Sequence, residues 1–191
     1  MISGAARDEL ISRYREPHRR YHTMTHIEDC LRQVEASTDL TTDQHGLLEA
    51  AIWFHDAIYD PTRNDNEARS ARLARDRLTA DGAPAAFIDE VERLILLTAG
   101  HSVGPDDPLG ARLVSIDLSI LGAEPERYDA YARAIREEYA HVPEPAWRMG
   151  RAAVMGRFLG SPRIYADAVW ADRYEARARE NIRREIDALA A

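Results

Sequence analysis

The chain has 191 residues, 45% of them hydrophobic and 30% charged, which is ample for a sizeable core and argues against global disorder. Its net charge of −8 disfavours non-specific nucleic-acid binding as the main role, while leaving room for a local basic pocket. Lysine is absent and all 25 basic residues are arginine, so a phosphate or carboxylate ligand would be met by guanidinium forks rather than ammonium point charges.

The length suits one domain spanning residues 1–191. Cys30 is the single cysteine, so no intrachain disulfide can form, and its place on the apolar side of a helical pattern reads as a small core residue. No signal peptide is recognisable. No apolar run approaches the roughly 18–20 residues needed to span a bilayer, so no membrane association is expected and the expected compartment is the cytoplasm.

Helical periodicity dominates the chain from end to end. Thr25 to Glu28 fits a capping box, and Ile27, Leu31 and Val34 follow at helical spacing. A second helix is expected over about residues 43–58, closed by Pro61. Asn64 or Asn66 can cap a third that carries Leu73 and Leu78 and stops at Asp81-Gly82. Pro84 opens a fourth, through Val91 and Leu94, with Gly100 as a C′ residue. The stretch HSVGPDDPLG reads as a loop, and ARLVSIDLSILG as a short apolar helix ending at Gly122. Three more helices are expected at about 125–140, 144–159 and 162–189, the last broken near Trp170. No alternating segment is long enough for a strand. The expectation is an all-α, compact multi-helix bundle.

One stretch resists a purely structural reading. In AAIWFHDAIYDP, three large apolar residues lead into His55-Asp56, and isoleucine and tyrosine follow at once. A buried carboxylate costs several kcal/mol unless it is paired, hydrogen-bonded or bound to a cation. A divalent cation accepts an imidazole nitrogen and a carboxylate oxygen together. Further ligands must come from other helices. Two residues stand out: His26, which opens the first strong helix, and Asp117, a carboxylate flanked by apolar residues in LVSIDLSIL.

The order His26, His55-Asp56, Asp117 resembles the HD superfamily of metal-dependent phosphohydrolases. The wider stretches YREPHRRYHTMTHIEDC, FHDAIYDP, NEARSA and DLSILG are similar to a group of bacterial HD-domain proteins, and the likeness spans roughly residues 14–182. It implies an all-helical HD-type domain in which His26, His55, Asp56 and Asp117 ligate a divalent metal. Mn, Fe, Co, Ni, Zn and Mg all remain open. The implied reaction is hydrolysis of a small phosphorylated molecule, a nucleotide being the leading candidate, by a water that the metal activates.

Other residues carry two readings each. Arg19 and Arg20, with Arg15 nearby, could present guanidiniums to a substrate phosphate or form a charged surface turn. Glu67 could orient water or carry a proton, or cap its own helix from the N3 position. His101 could hold a second metal or touch substrate, or simply favour a helix C-terminus. His22 could join the site or pack beside it. His18, His45 and His141 read as surface residues. The functional alternatives are a silent metal- or nucleotide-binding module and a di-iron oxygenase on the same scaffold, and a homodimer is left open.

Overall fold

In the computed structural model, residues 2–191 are described, and among them the chain is all-helical with no strand. It divides into two compact units, residues up to Val114 and residues from Ser115 onward. The first holds α1 (Gly4–Arg13), α2 (Met24–Glu35), α3 (Thr42–Phe54), α4 (Asn66–Ala80), α5 (Ala85–Leu97) and most of α6 (Pro108–Asp117). A short 3-10 helix, Leu118–Gly122, then leads to α7 (Pro125–Glu138), α8 (Glu144–Gly160) and α9 (Ala168–Ala190). No helix among the described residues is long and apolar enough to cross a membrane.

Helix α3 is the central element of the first unit, packed against α2, α4 and α5. Its start is fixed locally: Gln44 N donates to Thr41 Oγ1 at 3.2 Å while Thr41 N donates to Gln44 Oε1 at 2.9 Å. That reciprocal cap satisfies two of the donors a helix N-terminus leaves over. Leu48, Ile52 and Phe54 are buried on α3, against a core that includes Ile27 of α2 and Leu94 of α5. Each such side chain contributes about 1.5–3 kcal/mol on burial.

In the second unit α9 packs against the 3-10 helix, α7 and α8. Gly122 has a packing reason: a Cβ there would come within 2.6 Å of the Tyr174 Cβ and 2.9 Å of its backbone oxygen. Asn181 Nδ2 donates to the carbonyls of Leu121 (3.0 Å) and Ala123 (2.9 Å), which fastens the end of the 3-10 helix to α9. Arg151 of α8 and Tyr128 of α7 both donate to the Glu185 carboxylate of α9.

Several sequence expectations need correction. Helix α1 was not foreseen; it buries only Ala6 and Leu10, too few positions to signal a face. Thr23, not Thr25, takes the N-cap position of α2, which puts His26 in the first turn. Asp65 is the N-cap residue of α4, because Asn66 is occupied with the backbone of Asp60. The left-handed residue after α5 is His101 at φ 49, not Gly100. Helix α6 begins at Pro108, inside the expected loop. Helix α9 begins only at Ala168, where the Asp167 side chain accepts from Val169 N at 2.8 Å and Trp170 N at 3.4 Å. The expected break near Trp170 is thus the start of the helix.

One ion-pair group ties α1 to α4. Arg77 Nε donates to Glu9 Oε2 at 2.5 Å and Arg13 Nη2 to Glu9 Oε1 at 2.8 Å. The hydrogen bond from Arg77, with lesser help from Arg13, lowers the Glu9 carboxyl to about 2. A depressed folded-state value stabilises above the unfolded value and is lost as pH falls toward the folded one. Glu9→Gln should therefore cost up to about 1 kcal/mol at pH 7, and the difference should shrink steadily between pH 5 and pH 3. Urea unfolding of both proteins across that range checks it. A difference independent of pH would contradict the assignment.

Candidate metal centre

The site is built at the C-terminal end of α3, where four backbone carbonyls would otherwise lack partners. Side chains capture two of them, while Ala51 and Phe54 accept from the backbone of His55 and Ala57. Tyr14 Oη donates to the Trp53 carbonyl at 3.0 Å, and His55 Nδ1 lies 2.9 Å from the Ile52 carbonyl. Arg19 Nη1 donates to the Asp56 carbonyl at 2.8 Å and Nη2 to the Ala57 carbonyl at 3.1 Å. The helix stops at Phe54 rather than continuing to about residue 58, and Ala57 N turns back onto the Phe54 carbonyl at 3.0 Å. His55 becomes the C-cap and Asp56 falls outside the helix. The roughly 100° separation of helical neighbours therefore does not keep these two side chains apart.

Three ligand-type atoms converge there. His26 Nε2 lies 3.3 Å from His55 Nε2, His55 Nε2 lies 3.1 Å from Asp56 Oδ2, and His26 Nε2 lies 3.7 Å from the same oxygen. Both imidazoles are buried and the carboxylate is half-buried. A cation held about 2.1 Å from each donor would set neighbouring donors about 3.0–3.4 Å apart, so the set fits one ion with a small adjustment. Two imidazoles and a carboxylate suit Mn, Fe, Co, Ni and Zn alike. The fit rests on donor type and separation together.

The residues behind the donors fix their orientation. Because a carbonyl only accepts, His55 Nδ1 carries the proton and its Nε2 presents a lone pair when the ring is neutral. His26 Nδ1 lies 3.1 Å from Tyr21 Oη and 3.8 Å from the buried Cys30 Sγ. Cys30 is the core residue that its helical position suggested, and it also packs against a candidate ligand. Tyr14 sits in the interior beneath the site, and its hydroxyl is raised well above the usual tyrosine value, chiefly by burial and then by the Asp56 charge. It stays protonated and available as a donor.

Arg19 is the main correction among the site residues. Its side chain is fully covered, its Nε donates to Glu16 Oε2 at 3.1 Å and its Nη1 also reaches the His22 carbonyl at 3.0 Å. The guanidinium lies 5.1 Å from the Tyr14 ring centroid and 5.5 Å from that of Tyr59. It is therefore committed to the protein's own carbonyls and presents no face to a substrate phosphate. Arg20, by contrast, is exposed and donates to the carbonyls of Pro17 and Arg19.

The remaining residues are placed as follows. His22 precedes α2 and packs its ring 4.2 Å from Tyr59 and 6.2 Å from His26, centroid to centroid. Glu67 lies half-buried in the first turn of α4, its side chain making no hydrogen bond or ion pair among the described residues. That turn is anchored to the segment after Asp56: Ser70 Oγ accepts from Ile58 N at 3.0 Å and donates to its carbonyl at 3.3 Å. His101 stands half-buried past the end of α5, its N–H on the Leu97 carbonyl at 3.0 Å. Asp117 is the last residue of α6 and is half-buried. His18 and His141 are exposed, whereas His45 is half-buried with Nε2 3.0 Å from the Ser37 carbonyl. Tyr14, Tyr21 and Tyr59 escaped the sequence reading, since a tyrosine near a histidine carries no spacing rule of its own.

No family model matches the chain, and no curated protein or solved structure matches it either.

Arg19→Lys keeps the charge but loses the planar fork that serves several carbonyls at once. It should destabilise the protein by roughly 1.5–3 kcal/mol, the scale of a charged hydrogen bond, whereas Arg20→Lys should stay within about 0.5 kcal/mol. Denaturant midpoints for the two variants check this. Equal, small effects would return Arg19 to the role of a surface charge.

Proposed function

We propose that this protein is a metal-dependent phosphohydrolase acting on a small phosphorylated molecule, with a nucleotide as the leading candidate. The observation that carries the reading is the convergence of His26 Nε2, His55 Nε2 and Asp56 Oδ2 within 3.7 Å of one another. The likeness of the H…HD…D order to the HD superfamily supports the class of reaction. Asp117 is proposed as a further ligand on that likeness alone.

A divalent cation in such a set supplies Lewis-acid polarisation of a phosphoryl oxygen and a nucleophile at neutral pH. The protein's own part is positioning and charge neutralisation, which phosphoryl transfer needs more than covalent help. His55 holds its Nε2 toward the centre through the Ile52 carbonyl. Arg19 holds the backbone of Asp56 and Ala57 in place from behind. Glu67, uncommitted among the described residues, is the carboxylate proposed to orient water or carry a proton. The exposed Arg20 and the half-buried His101 are proposed to meet the substrate.

Purified protein should retain or take up a divalent transition metal and then turn over members of a phosphoester and phosphoanhydride panel. Metal uptake without turnover would leave a binding module. For the ligand role of Asp56, Asp56→Asn removes an anionic donor while conserving shape. Wild type should lose about 2.7 kcal/mol of stability on adding chelator, when metal had been present at a hundredfold excess over its dissociation constant. Asp56→Asn should melt at one temperature with or without chelator. Equal chelator sensitivity in the two proteins would exclude Asp56 as a ligand.

A further inference from the structure

Both ends of the segment joining α5 to α6, residues 98–107, return to neighbouring turns of α5. At the near end His101 N donates to the Leu97 carbonyl at 3.0 Å. At the far end the Asp107 carboxylate accepts from Arg93 Nη1 at 2.5 Å and from Nη2 at 3.1 Å, one helical turn before Leu97. Between them, the side chains of Ser102 and Asp106 make no hydrogen bond or ion pair among the described residues. A compact loop of this length with its ends together is an Ω-loop, a form that often carries function. The clamp that closes it is held from both sides. Arg93 Nε and Nη2 also donate to the Glu90 carboxylate at 2.8 and 2.7 Å, and Asp107 Oδ1 accepts from Gly110 N at 2.9 Å. A Cβ at Gly110 would run into that carboxylate and lie 2.6 Å from Leu97 Cδ1, so only glycine fits beneath it. Burial alone would raise the Asp107 carboxyl, but the Arg93 guanidinium outweighs it and holds the group below its ordinary value.

Inside this closed loop one residue has an unfavourable backbone. His101 sits at φ 49, the left-handed region that a residue with a Cβ resists and glycine accepts. The chain has a glycine one position earlier, at Gly100, where a Cβ would meet nothing within 4 Å. The left-handed position thus carries an imidazole although glycine would suit it better. Such a conformation persists only where the surroundings over-determine it, and it points to a use for the side chain held there. We infer that Arg93 is a positioning residue: by closing the loop through Asp107 it holds His101 left-handed and so fixes where the imidazole points. Opening the clamp lets residue 101 relax to an ordinary φ, and the Cα–Cβ bond turns with it. Glu90 serves the same end by holding Arg93. The inference rests on the reading in which His101 meets the substrate, and it adds what prepares that side chain.

The test compares His101→Gly with His101→Ala in the full-length protein. Both lose the imidazole with all its contacts, and only glycine relieves the backbone. With the clamp intact, the glycine variant should melt about 2–4 °C above the alanine variant. In an Arg93→Gln background the gap should close or reverse, because an open loop lets alanine leave the left-handed region. Asp107→Asn, which keeps an oxygen for Gly110 N, should act in the same way. No gap with the clamp intact, or a gap that survives in both backgrounds, would overturn the inference. These melts need no turnover, so they are decided independently of the phosphohydrolase reading. For the role in the reaction, Arg93→Gln should lower kcat/KM on the best phosphoester of a panel by on the order of tenfold or more, the scale for a misplaced group. Adding His101→Ala to Arg93→Gln should lower it no further. Fully multiplied losses in the double variant would overturn the positioning role, since the arginine would then act other than through His101. A wild-type protein that turns over no phosphoester would instead overturn the phosphohydrolase reading, and the substrate role of His101 with it.

Discussion

Arg19 carries a charge into the interior of the first unit with no access to water, and the geometry around the candidate centre follows from how that charge is compensated. A buried cation is tolerated only when its donors are met and its charge is balanced. Glu16 supplies the counter-charge, the rings of Tyr14 and Tyr59 flank the guanidinium, and the carbonyls of His22, Asp56 and Ala57 take up the fork. One side chain thereby joins the segment before α2 to the segment after α3. These are the segments that deliver His26 and Asp56.

The same constraint explains why an ionisable pair sits at the end of an apolar helix. Helix α3 ends at Phe54, where side chains take the carbonyls of Ile52 and Trp53, and Arg19 holds those of Asp56 and Ala57 just beyond it. Ending there frees His55 and Asp56 from helical spacing and lets both point to one place. Ile52, Phe54 and Leu48 supply the apolar burial that holds the helix end rigid. His55 Nδ1 faces a backbone carbonyl, which no side-chain substitution removes, whereas His26 Nδ1 faces the replaceable hydroxyl of Tyr21. The two imidazoles are therefore not equivalent in how firmly they are prepared.

The helical class was legible because the apolar positions recur at 3.6-residue spacing over most of the chain, and Pro84, Pro125 and Pro143 mark three helix starts. His26, His55 and Asp56 were legible because charged groups in apolar sequence demand a partner. What the sequence hid is the part decided by long-range contact. The end of α3 depends on Tyr14 and Arg19, about forty residues away along the chain. Arg19 looked like a solvent-facing arginine among others; only its burial separates it from Arg20. Tyr21 and Tyr59 gave no pattern, because their roles arise from where the segment before α2 folds back. Asn66 reads as a helix cap until its amide is seen holding Asp60.

X-ray absorption at the zinc edge, on protein carrying one equivalent of zinc, tests most directly whether His26 and His55 hold a metal together. Two imidazole nitrogens at about 2.0–2.1 Å are expected, with the multiple-scattering signature of the rings, and oxygen ligands at similar distance. A spectrum fitted by oxygen alone would contradict a centre built on His26 and His55. So would a sulfur scatterer at about 2.3 Å, which would move the ion to Cys30.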